Sequence, residues 1–511
     1  MALGTNVLYY GDNLEVLRKY IQAESIDLCY IDPPFNSKRN YNQIYNNIGT
    51  EDRAQSQAFI DTWTWDDYAI EGYQEILDNK GSRFTKQTIE LIKGLNNILG
   101  KGSLLAYLIS MTLRITEIQR VLKLTGSFYL HCDPTASHYL KLVLDAVFCG
   151  KGGHFQNEVV WCYNVGGKSK KYWARKHDII LFYTKTNEYF FDGKAVGIHR
   201  DTGTKSFGGK MGIDEEGRSY QDKLAKSSGK YYRYYLDDPK IPEDWWTDIN
   251  SIQSGSAERL GYPTQKPEAL LKRIIMASSK KGDTVLDAYC GCGTAVIAAQ
   301  ALNCRWIGMD ITYQSIALVL RRLEDQFKKD VANSVKLDGI PRDMASAQAL
   351  ANKKDDRVRK EFEKWAVLTY TSNRAVINQK KGADSGIDGI AYFRTNNTNN
   401  AKIILQAKSG NVKRGDIATL RGDMQRESAA MAVLITLELP TTPMVKEAKS
   451  AGFYHHDLMD RDYDAIQIVT IQDIIEKGKI LDIPMSLEVL KAAQLKATGN
   501  QLLLLDDAPL N

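Results

Sequence analysis

Thr284-Val285-Leu286-Asp287-Ala288-Tyr289-Cys290-Gly291-Cys292-Gly293-Thr294 is the stretch that decides the fold. Thr284 to Asp287 has the length and apolarity of a buried strand. Ala288 to Thr294 is a glycine-bearing turn, and Ala295, Ala298, Ala299 and Leu302 then recur at helical spacing. Arg305 to Asp310 is the next strand, and it ends in an acid. Strand, turn, helix, strand and acid make the nucleotide-binding half of a doubly wound α/β fold. Glycines there let the backbone approach a ligand, and Asp310 can accept from two ribose hydroxyls. The glycine spacing is not GxGxxG and no pyrophosphate-binding run follows, so a nucleoside is expected rather than a dinucleotide. Just upstream, Tyr262-Pro263-Thr264-Gln265-Lys266-Pro267 opens a helix predicted over Glu268 to Ser279.

Working outward, Leu28-Cys29-Tyr30-Ile31-Asp32-Pro33-Pro34-Phe35 reads as a second buried strand that stops abruptly. Asp32 sits at its carboxyl end, where open α/β sheets keep their ligands. Pro33 and Pro34 lack N–H groups, so the chain cannot continue as a regular ladder and their carbonyls stay free. Phe35 adds a flat face. A carboxylate, free carbonyls and an aromatic plane suit a planar base held by its exocyclic amino group. A strand followed by a proline turn with a capping Asp would carry the same letters. Asn6 to Tyr10 is a further strand, and Gly11-Asp12-Asn13 caps the helix after it, with Asp12 again at a strand's end.

At 511 residues, the chain predicts two or three domains. Hydrophobic content of 43% and charged content of 25% are those of a globular protein. A net charge of only +5 means that any nucleic-acid surface must be local. The seven cysteines contain no CxxC pair and are expected to be reduced thiols. No basic-then-apolar leader and no long apolar run appear, so the expectation is a cytoplasmic protein without a membrane partner. Asn36 to Asp67 has no clear period and is expected to be a mobile loop. Residues 86 to 123 carry two amphipathic helical patterns. His131 and His138 lack triad partners in the sequence and are read as structural or substrate-adjacent. From Gly166 to Tyr235, Lys168, Lys170, Lys171 and Arg175, then Lys226, Lys230 and Arg233, are interleaved with tyrosines, a pattern suited to phosphates and bases of DNA.

Residues 336 to 358 are polar and are read as a linker. Beyond them, Gly386 to Phe393 and Lys402 to Lys408 read as a hairpin that sets Asp388 beside Gln406, with Lys408 on the same face. Such a trio can make a divalent-ion site with a cation beside it.

The first two thirds resemble the amino-group DNA methyltransferases that use S-adenosylmethionine. Asp32-Pro33-Pro34-Phe35 matches their catalytic tetrapeptide. Asp287 to Thr294 is similar to their DPFxGSGT loop, with Ala288, Tyr289 and Cys292 in place of Pro, Phe and Ser. Tyr262 to Pro267 is similar to the YPTQKP segment. The tetrapeptide precedes the loop, with the basic region between them, as in the permuted β class. The resemblance implies a Rossmann-like fold, a double-stranded DNA substrate, and cofactor contacts by Asp12, Lys266, Asp287, Tyr289, Gly291, Gly293, Thr294 and Asp310. DPPF points to adenine N6, with cytosine N4 the alternative. RNA is a third substrate option.

Asp388, Gln406 and Lys408 resemble the PD-(D/E)xK motif of Mrr-like restriction nucleases, and Glu363 their helix Glu. That implies Mg²⁺ at Asp388 and Gln406 and a restriction–modification protein; the rival is a solitary methyltransferase whose last third only binds DNA. The boundaries expected are 1–335 for the methyltransferase, with 165–245 as recognition region, 359–485 for the nuclease-like domain and 486–511 for a tail. A homodimer or a partner restriction subunit is compatible with this reading.

Overall fold

The computed structural model describes residues 6–34, 39–46, 53–61, 63–164, 169–198, 209–225, 227–253, 255–260, 262, 264–341, 343–352, 356–372, 374–377, 386–395 and 400–483. Phe35, Lys168, Lys226 and the 486–511 tail lie outside these residues.

Nine strands form the main sheet: β1 (Val7–Tyr10), β2 (Ile26–Ile31), β3 (Leu122–Cys132), β4 (His154–Cys162), β5 (His177–Thr184), β6 (Trp245–Trp246), β7 (Thr284–Asp287), β8 (Arg305–Asp310) and β9 (Lys336–Asp338). Their order is β6-β4-β5-β3-β2-β7-β8-β1-β9. From β3 to β9 every neighbouring pair is parallel, whereas β5 runs against both β3 and β4. Strand β2 shows why the sheet is covered on both faces. Cys29 and Ile31 enter one core with the helices Lys86–Leu99, Ser103–Val121 and Ser137–Val147. Leu28 and Tyr30 enter the other, with Glu268–Ser278, Thr294–Ala301 and Tyr313–Phe327. The period of two on a strand with no polar face requires this double layer.

Parallel strands end on one side. Asp32 follows β2, Asp287 ends β7, Asp310 ends β8 and Asp12 follows β1 by two residues. Strand order reverses around β2 and β7, because the chain places β1 beyond β8 and β3 beyond β2. The crevice at such a reversal is where this class of sheet binds ligands.

A second sheet of five strands, β10 (Val376–Ile377), β11 (Gly389–Arg394), β12 (Asn400–Lys408), β13 (Met431–Thr436) and β14 (Ile466–Thr470), lies in that order. The hairpin of β11 and β12 is as the sequence predicts. Helix Asp356–Tyr370 buries Phe362, Trp365 and Ala366 against it. The same apolar cluster takes in Tyr313 and Ala317 of the main domain, so the two domains share a packed seam.

Two expectations are corrected. The Asn36–Asp67 segment contains a pair of antiparallel strands, Arg39–Asn46 and Arg53–Asp61, where a loop was expected. Residues 336–358 are not a free linker: β9 extends the main sheet beside β1, and helix Met344–Ala351 packs on the Asp356–Tyr370 helix. The polar letters of β9 conceal it, because an edge strand has only one covered flank. Among the described residues, no helix is long and apolar enough to cross a membrane.

Candidate active site

Leu286 pairs with Cys29, so β7 and β2 reach their carboxyl ends side by side. A cavity of about 1820 Å³ opens there. Asp32, Pro33 and Pro34 line it, together with Asp287, Tyr289, Gly291, Thr294 and Asp310 from the glycine turn and the next strand. Asp12 and Lys266 line it as well. The structure thus gathers Asp12 and Asp310, 298 positions apart (310 − 12), into one crevice.

The turn is built by its glycines. Gly291 and Gly293 have φ of +47° and +78°, the left-handed region. A Cβ on Gly293 would lie 2.6 Å from Val319 Cγ2, so this glycine packs the turn onto helix Tyr313–Phe327 and does not face the cavity. The buried Arg322 of that helix donates to the Cys292 carbonyl at 2.6 Å and clamps the turn from below.

The carboxylates differ in their partners. Asp310 accepts from the Gly291 N–H at 2.9 Å and from the N–H and hydroxyl of Thr312 at 2.9 and 3.0 Å. Burial nonetheless pushes its carboxyl up to about 6. Asp287 is buried and accepts only from the Tyr289 N–H, at 3.1 Å, among the bonds described. Burial, with the nearby charges of Asp32 and Asp310, pushes it up to about 8. Asp12 caps helix Asn13–Tyr20 through the Leu14 and Glu15 N–H groups and pairs with Arg114 at 2.7 Å. The helix-cap role is present, and Asp12 also lines the cavity.

Lys266, expected to meet the cofactor, lines the same cavity as Asp287 and Asp310. Its ammonium is buried and lies 2.6 Å from Asp32 Oδ2. It thus restrains the carboxylate it touches. Sequence reasoning missed three further residues. Arg114 donates to Asp12 and Asn13, and Asn13 donates to the Ala288 carbonyl at 2.7 Å, joining the two ligand-side turns. An arginine between Leu113 and Ile115, in the apolar part of the helix, was the available signal. The third is Asp178. His131 is fully buried, with Nδ1 2.9 Å from the Tyr30 hydroxyl and Nε2 3.0 Å from Asp178. Burial works against the Asp178 charge, but His131 and Lys266 outweigh it and hold the carboxyl below its ordinary range. His131 is the next-to-last residue of β3, the strand beside β2.

A cationic, nucleoside-bearing ligand fits this crevice. Asp287, raised to about 8, holds a proton near neutral pH that a bound positive charge would release, and Asp310, at about 6, is mostly ionised there; Gly291 of the turn lines the same cavity.

The basic residues divide. Lys170, Lys171 and Arg175 lie exposed on the loop between β4 and β5. Lys230 is exposed on a three-stranded sheet of Lys210–Ile213, Ser219–Ala225 and Lys230–Tyr235. Arg233 is committed internally: it makes a two-pronged pair with Asp222 at 2.9 and 3.0 Å and stacks on Tyr220.

In the second domain, Glu363 and Asp388 line the far wall of the large cavity, but the residues expected to bind Mg²⁺ do not fit it. Asp388 accepts from the Ala407 N–H at 2.8 Å, the Gln406 amide donates to the Gly386 carbonyl, and Lys408 pairs with Asp416 at 2.7 Å. Gln406 supplies no charge where a divalent ion needs it. Among the described residues, no cluster of three His, Cys, Asp or Glu side chains could hold a metal.

Residues 358–476 match a family model described as NACHT-associated inactive Restriction Endonuclease 1. The DNA adenine methyltransferase YhdJ of Escherichia coli K12 is 28% identical over 319 residues, 62% of this chain and 82% of that protein. The type II methyltransferase M.HpaI of Haemophilus parainfluenzae is 23% identical over 329 residues, 64% of this chain and 77% of its own. The solved cytosine-N4-specific PvuII DNA methyltransferase aligns over 66% of this chain and 96% of its own, at 15% identity and a TM-score of 0.36. Residues 26–321 match the N6/N4 family model described as DNA methylase, and the chain belongs to that family of DNA methyltransferases.

Proposed function

We propose that the chain methylates adenine N6 in double-stranded DNA, within a restriction–modification setting. The observation that carries this reading is the placement of Asp32 on the same cavity as Asp287 and Asp310, at adjacent strand ends. S-adenosylmethionine, when bound, supplies an electrophilic methyl group. Asp287, Asp310 and the Gly291 turn would hold it, with Tyr289 and Thr294 beside them. Asp32 and the Pro33 carbonyl accept the two N–H bonds of the exocyclic amino group, which turns the nitrogen lone pair toward the methyl donor. Lys266 holds the Asp32 carboxylate in that orientation. The target base must leave the duplex to enter the crevice, at a cost of a few kcal/mol. The test is single-molecule sequencing of DNA from cells expressing the protein, beside the Asp32→Ala variant. N6-methyladenine at a defined site only in the wild type supports the reading; N4-methylcytosine would replace adenine, and no DNA mark with methylated RNA would replace DNA.

We infer that the second domain contacts DNA without cutting it. Gln406 in the acid position, with Asp388 and Lys408 engaged by Ala407 and Asp416, supports this. Supercoiled plasmid in unmethylated, hemimethylated and fully methylated form, incubated with the full chain and Mg²⁺, is expected to stay intact. Nicking that Lys408→Ala abolishes would restore the nuclease reading.

A further inference from the structure

The loop between β4 and β5 carries an aromatic pair that nothing above uses. Trp173 is 95% exposed and Tyr172 is 67% exposed, in the run Lys170-Lys171-Tyr172-Trp173-Ala174-Arg175. An indole almost wholly in water forgoes one of the largest burials a side chain can make. Flanking cations make a protein core or a membrane interior a poor destination for it and a polyanion a good one.

Position narrows the partner. The strands place this loop on the rim that bears Asp32. Ile31 pairs with Leu130, Leu130 with Leu181, and Cys132 with Ile179, so β5 begins where β2 ends. Cys162 pairs with His177, and the Tyr163 N–H donates to the Lys176 carbonyl at 3.0 Å, which closes the base of the loop. That base is rigid: the Tyr163 hydroxyl donates to Asp178, Asp178 meets His131, and His131 meets Tyr30 two residues before Asp32. Higher up, the Ser169 hydroxyl accepts from the N–H groups of Lys171 and Tyr172, each at 3.2 Å, and shapes the approach to Trp173.

We propose that Trp173 is a stacking wedge that enters the duplex at the gap left by the extruded target base, while Lys170, Lys171 and Arg175 hold the flanking phosphates. An indole face replaces the base-stacking that extrusion removes. The proposal rests on the methyltransferase reading and adds to it the residue that keeps the base out.

The experiment uses the full chain and a duplex of the site that sequencing identifies. Trp173→Ala is expected to lower kcat/KM on the paired duplex about 10- to 100-fold, the effect of one lost stacked base. On a duplex mismatched at the target, where extrusion is easy, the deficit is expected to shrink to less than about threefold. Trp173→Phe falls between. S-adenosylmethionine affinity and thermal midpoint stay at wild-type values, because the side chain is solvent-exposed. With 2-aminopurine at the target, the fluorescence rise on binding is lost in Trp173→Ala. Wild-type activity on both duplexes, or an equal loss on both, overturns the wedge while leaving the methyltransferase reading intact. A wild-type protein that methylates no DNA overturns both.

Discussion

Asp32 and Lys266 lie at the centre of the residue-scale chemistry. An ammonium 2.6 Å from a half-buried carboxylate fixes its direction more than it adds to stability, because both groups lose water to meet. Lys266→Met is therefore expected to lower kcat by about 10- to 100-fold, the usual range for a misplaced acceptor, with cofactor affinity within about threefold of wild type. Equilibrium binding and single-turnover rates separate the two; a large loss of cofactor affinity with kcat intact would return Lys266 to the cofactor side. Asp287 supports a prediction with a definite sign. Its folded carboxyl is raised to about 8, so the native state binds a proton more tightly than the unfolded chain. That stability is full below the ordinary carboxylate range and is lost as pH rises through about 8. Ligand-free protein is thus expected to lose thermal midpoint from pH 5 to pH 9, and Asp287→Asn to flatten that fall; parallel curves would show that Asp287 is not the group responsible. S-adenosylmethionine binding near pH 7 is expected to release a proton, read as a dependence of the calorimetric heat on buffer ionisation enthalpy and absent in Asp287→Asn.

Elements were legible where local chemistry decides them. Thr284–Asp287 and Arg305–Asp310 have the bounds that the apolar runs predict, because a strand buried on both faces excludes polar residues. The Arg39–Asn46 and Arg53–Asp61 pair was not legible, since its letters show no alternation. Arg114 and Arg322 were hard to read as site residues, because their function lies in contacts across the fold: one reaches Asp12, the other the glycine turn before helix Thr294–Ala301. Gly293 belongs to this scale. Its φ of +78° and the 2.6 Å approach of Val319 leave no room for a side chain. Gly293→Ala is expected to displace the turn, to lower the thermal midpoint by several degrees, the shift that about 1–2 kcal/mol gives, and to weaken cofactor binding. An unchanged midpoint and affinity would mean that the turn relaxes freely.

At the scale of the whole molecule, the two domains are joined at the cofactor crevice. Glu361, in the helix Asp356–Tyr370, accepts from the Tyr313 N–H at 3.1 Å and from the Tyr10 hydroxyl at 3.3 Å. It thus caps, from the other domain, the helix that follows Asp310 and Thr312. Tyr10 is the register partner of Asp310, and the Tyr313 hydroxyl meets Thr369 at 3.2 Å. No pattern in the sequence could show this, because Glu361 and Tyr10 are 351 positions apart and lie in separate domains. The consequence is that the second domain stiffens the crevice wall that bears Asp310. Removing a helix cap costs about 1 kcal/mol, which is about fivefold in an equilibrium that needs the capped form. Glu361→Ala is therefore expected to weaken S-adenosylmethionine binding about fivefold, with kcat at saturation nearly unchanged. Lys364 pairs with Glu361 at 2.5 Å without reaching Tyr313, so Lys364→Ala is expected to have the smaller effect. Calorimetric titration of the two variants checks the order; equal affinities in both and in the wild type would mean that the domains are neighbours without communication.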